Sequence, residues 1–123
     1  MNKKEDNFKE KFKQALISTA KVISDDYLLD IKKKNKNLSS KNLDFFELDN
    51  LTNKYDFIRL RAETDSEALK RKFSNKNIYK KNIPTKRSCK ILYDISEKIR
   101  YEVLGTKMLR GISKNLKENY IQK

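Results

Sequence analysis

The chain contains no histidine and no tryptophan, and among its 123 residues there is one cysteine (Cys89), one proline (Pro84) and two glycines (Gly105 and Gly111). Each shortage closes off a class of protein. One cysteine cannot form an intrachain disulfide, and without histidine the chain cannot build a Cys/His zinc site, a Ser-His-Asp triad or a Cys-His pair. The scarcity of glycine argues against sheets joined by tight turns and suits helices with polar outer faces. No apolar run approaches the ~18 residues that cross a bilayer, and the opening Met1-Asn-Lys-Lys-Glu-Asp-Asn lacks the apolar stretch of a secretion signal. The expected location is therefore the cytoplasm, with no membrane partner. A phosphate-cradling Gly-x-x-x-x-Gly-Lys-Ser/Thr loop is also missing.

What is abundant is charge. Lys and Arg number 30 against 17 Asp and Glu, a formal net charge of +13. Such a balance raises the prospect of a nucleic-acid or anionic-membrane partner. Lysine dominates, however, and lysine is the weaker residue for planar recognition of phosphate, so the expected reading of the charge is a solvated surface with a biased composition. The bases are concentrated in the second half. From Leu43 to Glu67 seven acids face only Lys54, Arg59 and Arg61, whereas Ala68 to Lys123 holds only Asp94, Glu97, Glu102 and Glu118 against many bases.

The length allows one domain. Helical periodicity runs from about Phe8 to Ile23 through Phe12, Ala15, Leu16, Thr19 and Ala20. Asp25-Asp26 breaks it, and the alternation at Tyr27 to Ile31 fits a short strand or hairpin. Lys32 to Asn42 is polar and reads as a mobile loop. A second helix starts near Asn50-Leu51-Thr52, with either polar residue a possible N-cap, and continues through Tyr55, Ile58, Ala62, Asp65, Leu69 and Phe73. Asp65 interrupts its apolar stripe and calls for a partner, and Arg61 lies one turn earlier. Asn75 to Lys86 is polar and contains Pro84, which should separate this helix from a third over about Thr85 to Leu104. That third helix is expected to carry Leu92, Ile95, Ile99 and Val103 inward and to end or bend at Gly105. A last helix, from Met108 or Gly111 to Tyr120, presents Ile112, Leu116 and Tyr120. The fold class is mainly α, a small bundle of about four helices.

The densest polar pattern is Asp94-Ile-Ser-Glu97-Lys-Ile-Arg100-Tyr-Glu102-Val-Leu-Gly105. Glu97 and Arg100 stand at ion-pair spacing and Glu102 on a different face. By spacing alone this is a salt-bridged surface helix. Together with Gly111-Ile-Ser-Lys-Asn115-Leu116 downstream, the string resembles the amino-terminal region of the T subunit of aerobic cobaltochelatase, the CobT family. There a helix reads Phe-Asp-Ala-Val-Glu-Gln-Ala-Arg-Val-Glu-Ala-Ile-Gly, followed by Gly-Val-x-x-Asn-Leu. The matches fall on Asp94, Glu97, Arg100, Glu102, Gly105, Gly111, Asn115 and Leu116. Upstream, Arg61, Asp65, Ser66, Ala68 and Leu69 match the family's Arg-Gly-x-Ala-Asp-Ser-x-Ala-Leu, and Phe12-Lys-Gln-Ala15-Leu16 matches its opening Phe-Lys-x-Ala-Leu. The family tends to place histidines after the Ala-Leu helix, where this chain has Ser74 and Tyr79, so no metal or proton-transfer role carries over to those positions.

The resemblance implies a single CobT-like amino-terminal helical domain over residues 1–123, without the family's carboxy-terminal von Willebrand factor A type domain. It also implies a noncatalytic subunit of an ATP-dependent cobaltochelatase, partner of a CobS-like AAA+ ATPase and a CobN-like large chelatase subunit. That complex inserts cobalt into hydrogenobyrinic acid a,c-diamide in cobalamin biosynthesis. ATP, magnesium and cobalt would be used by the complex, with no cofactor, metal site or catalytic residue in this chain. Arg61, Asp65, Glu97, Arg100, Glu102 and Asn115 are the candidates for a partner-binding or structural polar network. Two rival readings stand beside this one. One is a basic helical nucleic-acid-binding module built on Lys70, Arg71, Lys72, Lys80, Lys81, Lys86, Arg87 and Lys90, with Tyr79 available to stack, whereas under the CobT-like reading these bases give only weak, nonspecific nucleic-acid binding. The other is an adaptor of a AAA+ ATPase unrelated to cobalamin.

Overall fold

The computed structural model describes residues 3–26, 30–32, 42–44 and 53–122. The chain is mainly α. Its described elements are α1 (Lys3–Ser24), β1 (Asp30–Lys32), β2 (Asn42–Asp44), α2 (Lys54–Phe73), α3 (Lys76–Asn82), α4 (Arg87–Met108) and α5 (Arg110–Gln122).

Helix α1 buries Leu16, Ile17, Ala20 and Ile23. This narrows the stripe expected from periodicity, because Ala15 and Thr19 face solvent and Phe8 is exposed, while Ile17 turns inward. The helix ends where Asp25 adopts a left-handed backbone (φ 57°), a conformation Asp tolerates better than most residues. The Ser24 hydroxyl donates to Ala20 O and accepts from Asp26 N–H, which closes the last turn.

Strand β1 pairs with β2 in parallel, Ile31 opposite Leu43, so the short strand expected near Ile31 is present but does not form a hairpin. Tyr27–Leu29 and most of the expected loop, residues 33–41, lie outside the described residues, and the ends of that loop, Lys32 and Asn42, are strand positions.

Helix α2 is capped later than expected, one residue after Thr52 and three after Asn50. Asn53 is the N-cap: its side chain accepts from Asp56 N–H at 3.0 Å while the Asp56 carboxylate accepts from Asn53 N–H at 3.3 Å, a reciprocal capping box. Phe57 takes Phe8 and Phe12 of α1 edge to face, at centroid distances of 5.5 and 5.0 Å. At the other end of the pair, Lys72 Nζ reaches Asp25 Oδ2 at 3.2 Å. Contacts of start with start and end with end make α1 and α2 neighbours running in the same direction. Tyr55, expected inward, is exposed, whereas Leu60, Thr64 and Ala68 join Ala62 and Leu69 in the buried set.

The segment expected to be irregular between Asn75 and Lys86 contains α3. Asn75 caps it by accepting from Asn77 and Ile78 N–H, and Tyr79 rests against Tyr93 of α4 at 5.2 Å between ring centroids. It buries no residue, so its sequence carries no apolar period from which a helix could be read.

Two expectations for α4 are overturned. The helix does not end at Gly105 but continues to Met108, and the break falls at Leu109. Leu92, Ile95, Ile99 and Val103 do not point inward: they are 65%, 51%, 56% and 45% exposed. The helix instead meets the core through Tyr101, Glu102 and Gly105, near its carboxy-terminal end. The core comprises Leu16, Ile17, Ala20 and Ile23 of α1, Leu60, Ala62, Ala68 and Leu69 of α2, Tyr101 of α4, and Ile112 and Leu116 of α5. Gly105 sits where α4 crosses α2 at closest approach, and a Cβ there would fall 2.3 Å from Leu69 Cδ1.

The two glycines should respond in opposite ways to the same change. Leu69 is fully buried and has no room to give, so Gly105→Ala is expected to cost ~1–3 kcal/mol through overpacking, despite the better helix propensity of alanine. Gly111 has open space around its Cα, and Gly111→Ala is expected to be neutral or to stabilise by up to ~1 kcal/mol. Thermal or urea melts of the two variants beside the parent check both signs.

Candidate functional site

The polar residues singled out by the sequence separate into two groups in space. The first lies at the junction of α2, α4 and α5. Glu102 is buried, and its carboxylate accepts from Ser66 Oγ on α2 at 2.7 Å and from Tyr120 Oη on α5 at 2.6 Å. Ser66 and Tyr120 complete the arrangement although neither was among the candidate network residues. Ser66 follows Asp65 in the sequence pattern, but nothing in the spacing of Tyr120 marks it as the second donor. Beside them Asp65, 1% exposed, accepts from Asn115 Nδ2 on α5 at 2.8 Å. Asp65 thus takes its hydrogen bond from Asn115, while Arg61, one turn earlier and exposed, contributes only through its charge.

The second group closes the end of α2. Arg100 donates through Nη2 to Phe73 O at 2.8 Å and pairs with Glu97 at 2.5 Å, and Glu97 in turn accepts from Ser74 Oγ at 3.1 Å. A guanidinium at the last carbonyls of a helix satisfies an orphan acceptor and complements the negative end of the helix dipole. Glu97 and Arg100 therefore act at the end of α2, and Glu102 acts separately, between Ser66 of α2 and Tyr120 of α5.

Burial and neighbours set the protonation of these groups. Desolvation pushes the Asp65 carboxyl above its ordinary value of 3.8, against the opposing hydrogen bond from Asn115 and the charge of Arg61. Its Oδ1 has no hydrogen-bond partner, which is consistent with a carboxyl that prefers its proton. The Arg100 hydrogen bond holds Glu97 below its usual range. Burial, followed by the bond to Glu102, raises the Tyr120 phenol to about 12, so at neutral pH it is a donor.

An open cleft of about 490 Å³ lies between the end of α2, α3 and α4, with Lys70, Lys76, Lys98, Tyr79, Tyr101 and Glu97 on its walls. The polar groups around it bind one another: Tyr79 Oη donates to Asp94, and Ser74 to Glu97. Of the bases expected to form a nucleic-acid surface, only Lys70 lines this cleft. Among the described residues no cluster of three or more Cys, Asp or Glu side chains is placed to hold a metal ion, and no helix is long and apolar enough to cross a membrane.

Residues 6–123 match the family model of cobalamin biosynthesis protein CobT, which covers α1 to α5 and both polar groups. The chain belongs to the CobT family. No curated protein and no solved structure gives a significant match. The CobT-like positions have a common physical role in this structure. Asp65, Ser66, Glu102 and Asn115 join three helices, Glu97 and Arg100 close the end of α2, and Leu69 with Gly105 forms the close helix crossing. Several of the positions that carry the resemblance thus lie at helix junctions of this chain.

Two outcomes follow from this arrangement. Since the folded Asp65 keeps its proton to higher pH than the unfolded one, the folded state binds more protons between the two values, and stability is lost as pH rises from about 3.8 through the raised value. Asp65→Asn removes that loss, so melts at pH 4 and pH 8 should show the variant gaining on the parent by on the order of 1 kcal/mol at the higher pH. Arg100→Ala removes the side-chain donor to Phe73 O and the cation paired with Glu97, which keeps Ser74 as its donor. Because the guanidinium is 45% exposed, the cost is discounted to ~1 kcal/mol, against a few tenths for the surface control Lys114→Ala, measured by chemical denaturation.

Proposed function

We propose that this CobT-family chain is a noncatalytic component of an ATP-dependent cobaltochelatase-like assembly. In that reading it partners a CobS-like AAA+ ATPase while a CobN-like subunit inserts cobalt into hydrogenobyrinic acid a,c-diamide. The observation that carries it is the family match along residues 6–123, which includes every residue of the two polar groups. A division of labour of this kind suits the chain's chemistry. Its buried carboxylates and hydroxyls are engaged in holding helices together, and the sequence has neither a phosphate-cradling loop nor histidine. ATP and magnesium belong to the ATPase subunit, and cobalt is cargo delivered to the corrin.

The role left to this chain is to hold partners, which requires a rigid body with presentable surfaces. The junction of α2, α4 and α5 supplies the rigidity, because a buried polar network that is satisfied only in one geometry penalises every other arrangement.

The test is reconstitution with the purified ATPase and large subunit. The chain alone is expected to hydrolyse no ATP and to metallate no corrin. Added to its partners, it should co-elute with the ATPase subunit and raise the rate of cobalt insertion, followed by the change in corrin absorbance. Cobalt insertion that is indifferent to the chain, with no co-elution, overturns the reading.

A further inference from the structure

Among the described residues α4 carries a run of exposed apolar side chains, and none of the interactions described above uses it. Ile91, Ile95, Ile99 and Val103 recur every four residues and form one ridge, with Leu92 beside it, and all five are 45–65% exposed. At 1.5 Å per residue this ridge is roughly 18 Å long. The surface it leaves in water is on the order of 500 Å², at the top of the range for the largest apolar patch on a monomer, where such patches are usually functional. Small polar residues, Ser88, Ser96 and Thr106, fall on the same face by helical spacing, and the one acid at that angle, Glu102, is turned into the core.

Charge on the flanks of the ridge identifies what covers it. Arg87, Lys90 and Lys98 follow one edge and Lys107 the other, all exposed. The acids on these edges are engaged within the chain: Asp94 accepts from the Tyr79 hydroxyl, and Glu97, two turns from Lys90 on the same side, pairs with Arg100. A second copy of the chain is disfavoured as the occupant. In an antiparallel pair centred on the ridge, near residue 97, each edge meets the same edge of the other copy, so Lys98 would face its own counterpart, in a protein that already carries a net charge of +13.

We propose that the α4 ridge is a docking surface for an amphipathic helix of a partner protein, apolar at three- and four-residue spacing and flanked by Asp and Glu. The apolar stripe supplies the affinity, and the basic edges select the partner and its register. A helix laid on a ridge of this size buries on the order of 1,000 Å² counting both sides, the lower end of a specific interface, so the contact is expected to be reversible. The inference stands on this surface alone and does not require the corrin reading.

The experiment uses two synthetic peptides of about 20 residues with the same Leu/Ile heptad face, one with Glu and one with Lys at the flanking positions. Binding to the chain is followed by fluorescence anisotropy, with amide shifts of the labelled protein reporting the site. The Glu-flanked peptide should bind at least tenfold more tightly at low ionic strength, with the margin shrinking as salt rises, and the shifts should concentrate on α4. Ile95→Gln with Ile99→Gln should abolish binding and leave the melting temperature unchanged or higher, since both side chains are exposed. Lys90→Glu with Lys98→Glu should leave the ridge intact and reverse the preference between the peptides. Equal affinity for the two peptides, no binding of either, or binding that survives the isoleucine substitutions overturns the proposal. So does sedimentation of the chain as a dimer that those substitutions dissolve, which would assign the ridge to a second copy.

Discussion

A carboxylate taken out of water must find donors, and the fold of this CobT-family chain is arranged around that requirement at Glu102. Among the described residues no cation hydrogen-bonds to it. Its two oxygens instead accept from Ser66 on α2 and Tyr120 on α5, so a residue of α4 is held from both sides by neighbouring helices. Hydrogen bonds to a charged acceptor are roughly twice as strong as neutral ones, and breaking one inside a protein leaves the acceptor unsatisfied. The geometry that satisfies Glu102 also brings Gly105 against Leu69 and Asn115 against Asp65. Apolar packing supplies the drive to bring α2, α4 and α5 together, and the polar contacts fix how they cross.

This division explains why α4 belongs to the core at only one end. Its last third is gripped by α2 and α5, while the stretch from Arg87 to Arg100 is steadied by Arg100 on the end of α2 and by the stacking of Tyr93 on α3. The apolar ridge of α4 is left facing water, on a helix fixed by contacts made elsewhere. A rigid, exposed ridge loses little conformational freedom when a partner arrives, the condition under which a modest interface still binds.

The protonation of the buried groups fits the same frame. Asp65 is fully buried with one acceptor oxygen unpartnered, and it keeps its proton more readily than a carboxyl in water. Glu97, which has Arg100 and Ser74 as donors, loses its proton more readily. Burial raises both carboxyls, but at Glu97 the hydrogen bond from Arg100 outweighs it, whereas at Asp65 burial prevails over the Asn115 hydrogen bond and the charge of Arg61.

Much of this was legible in the residues themselves. Lack of glycine and the three- and four-residue apolar periods indicate a mainly α chain, and the string from Asp94 to Leu116 with Arg61 to Leu69 indicates the family, because these depend on local spacing and residue type. The N-cap at Asn53 and helix α3 were not legible, since the cap is chosen by backbone geometry and a helix that buries nothing leaves no period. The direction in which α4 faces is the clearest case of what sequence alone leaves undecided. Leu92, Ile95, Ile99 and Val103 have the pattern of a core stripe, and that pattern states only that they share a face. Which face of a helix is buried depends on what the other helices offer, and here Leu69 and Ser66 accept Gly105 and Glu102 in its place. Periodicity is a property of one segment, whereas burial is a property of the pair that meets.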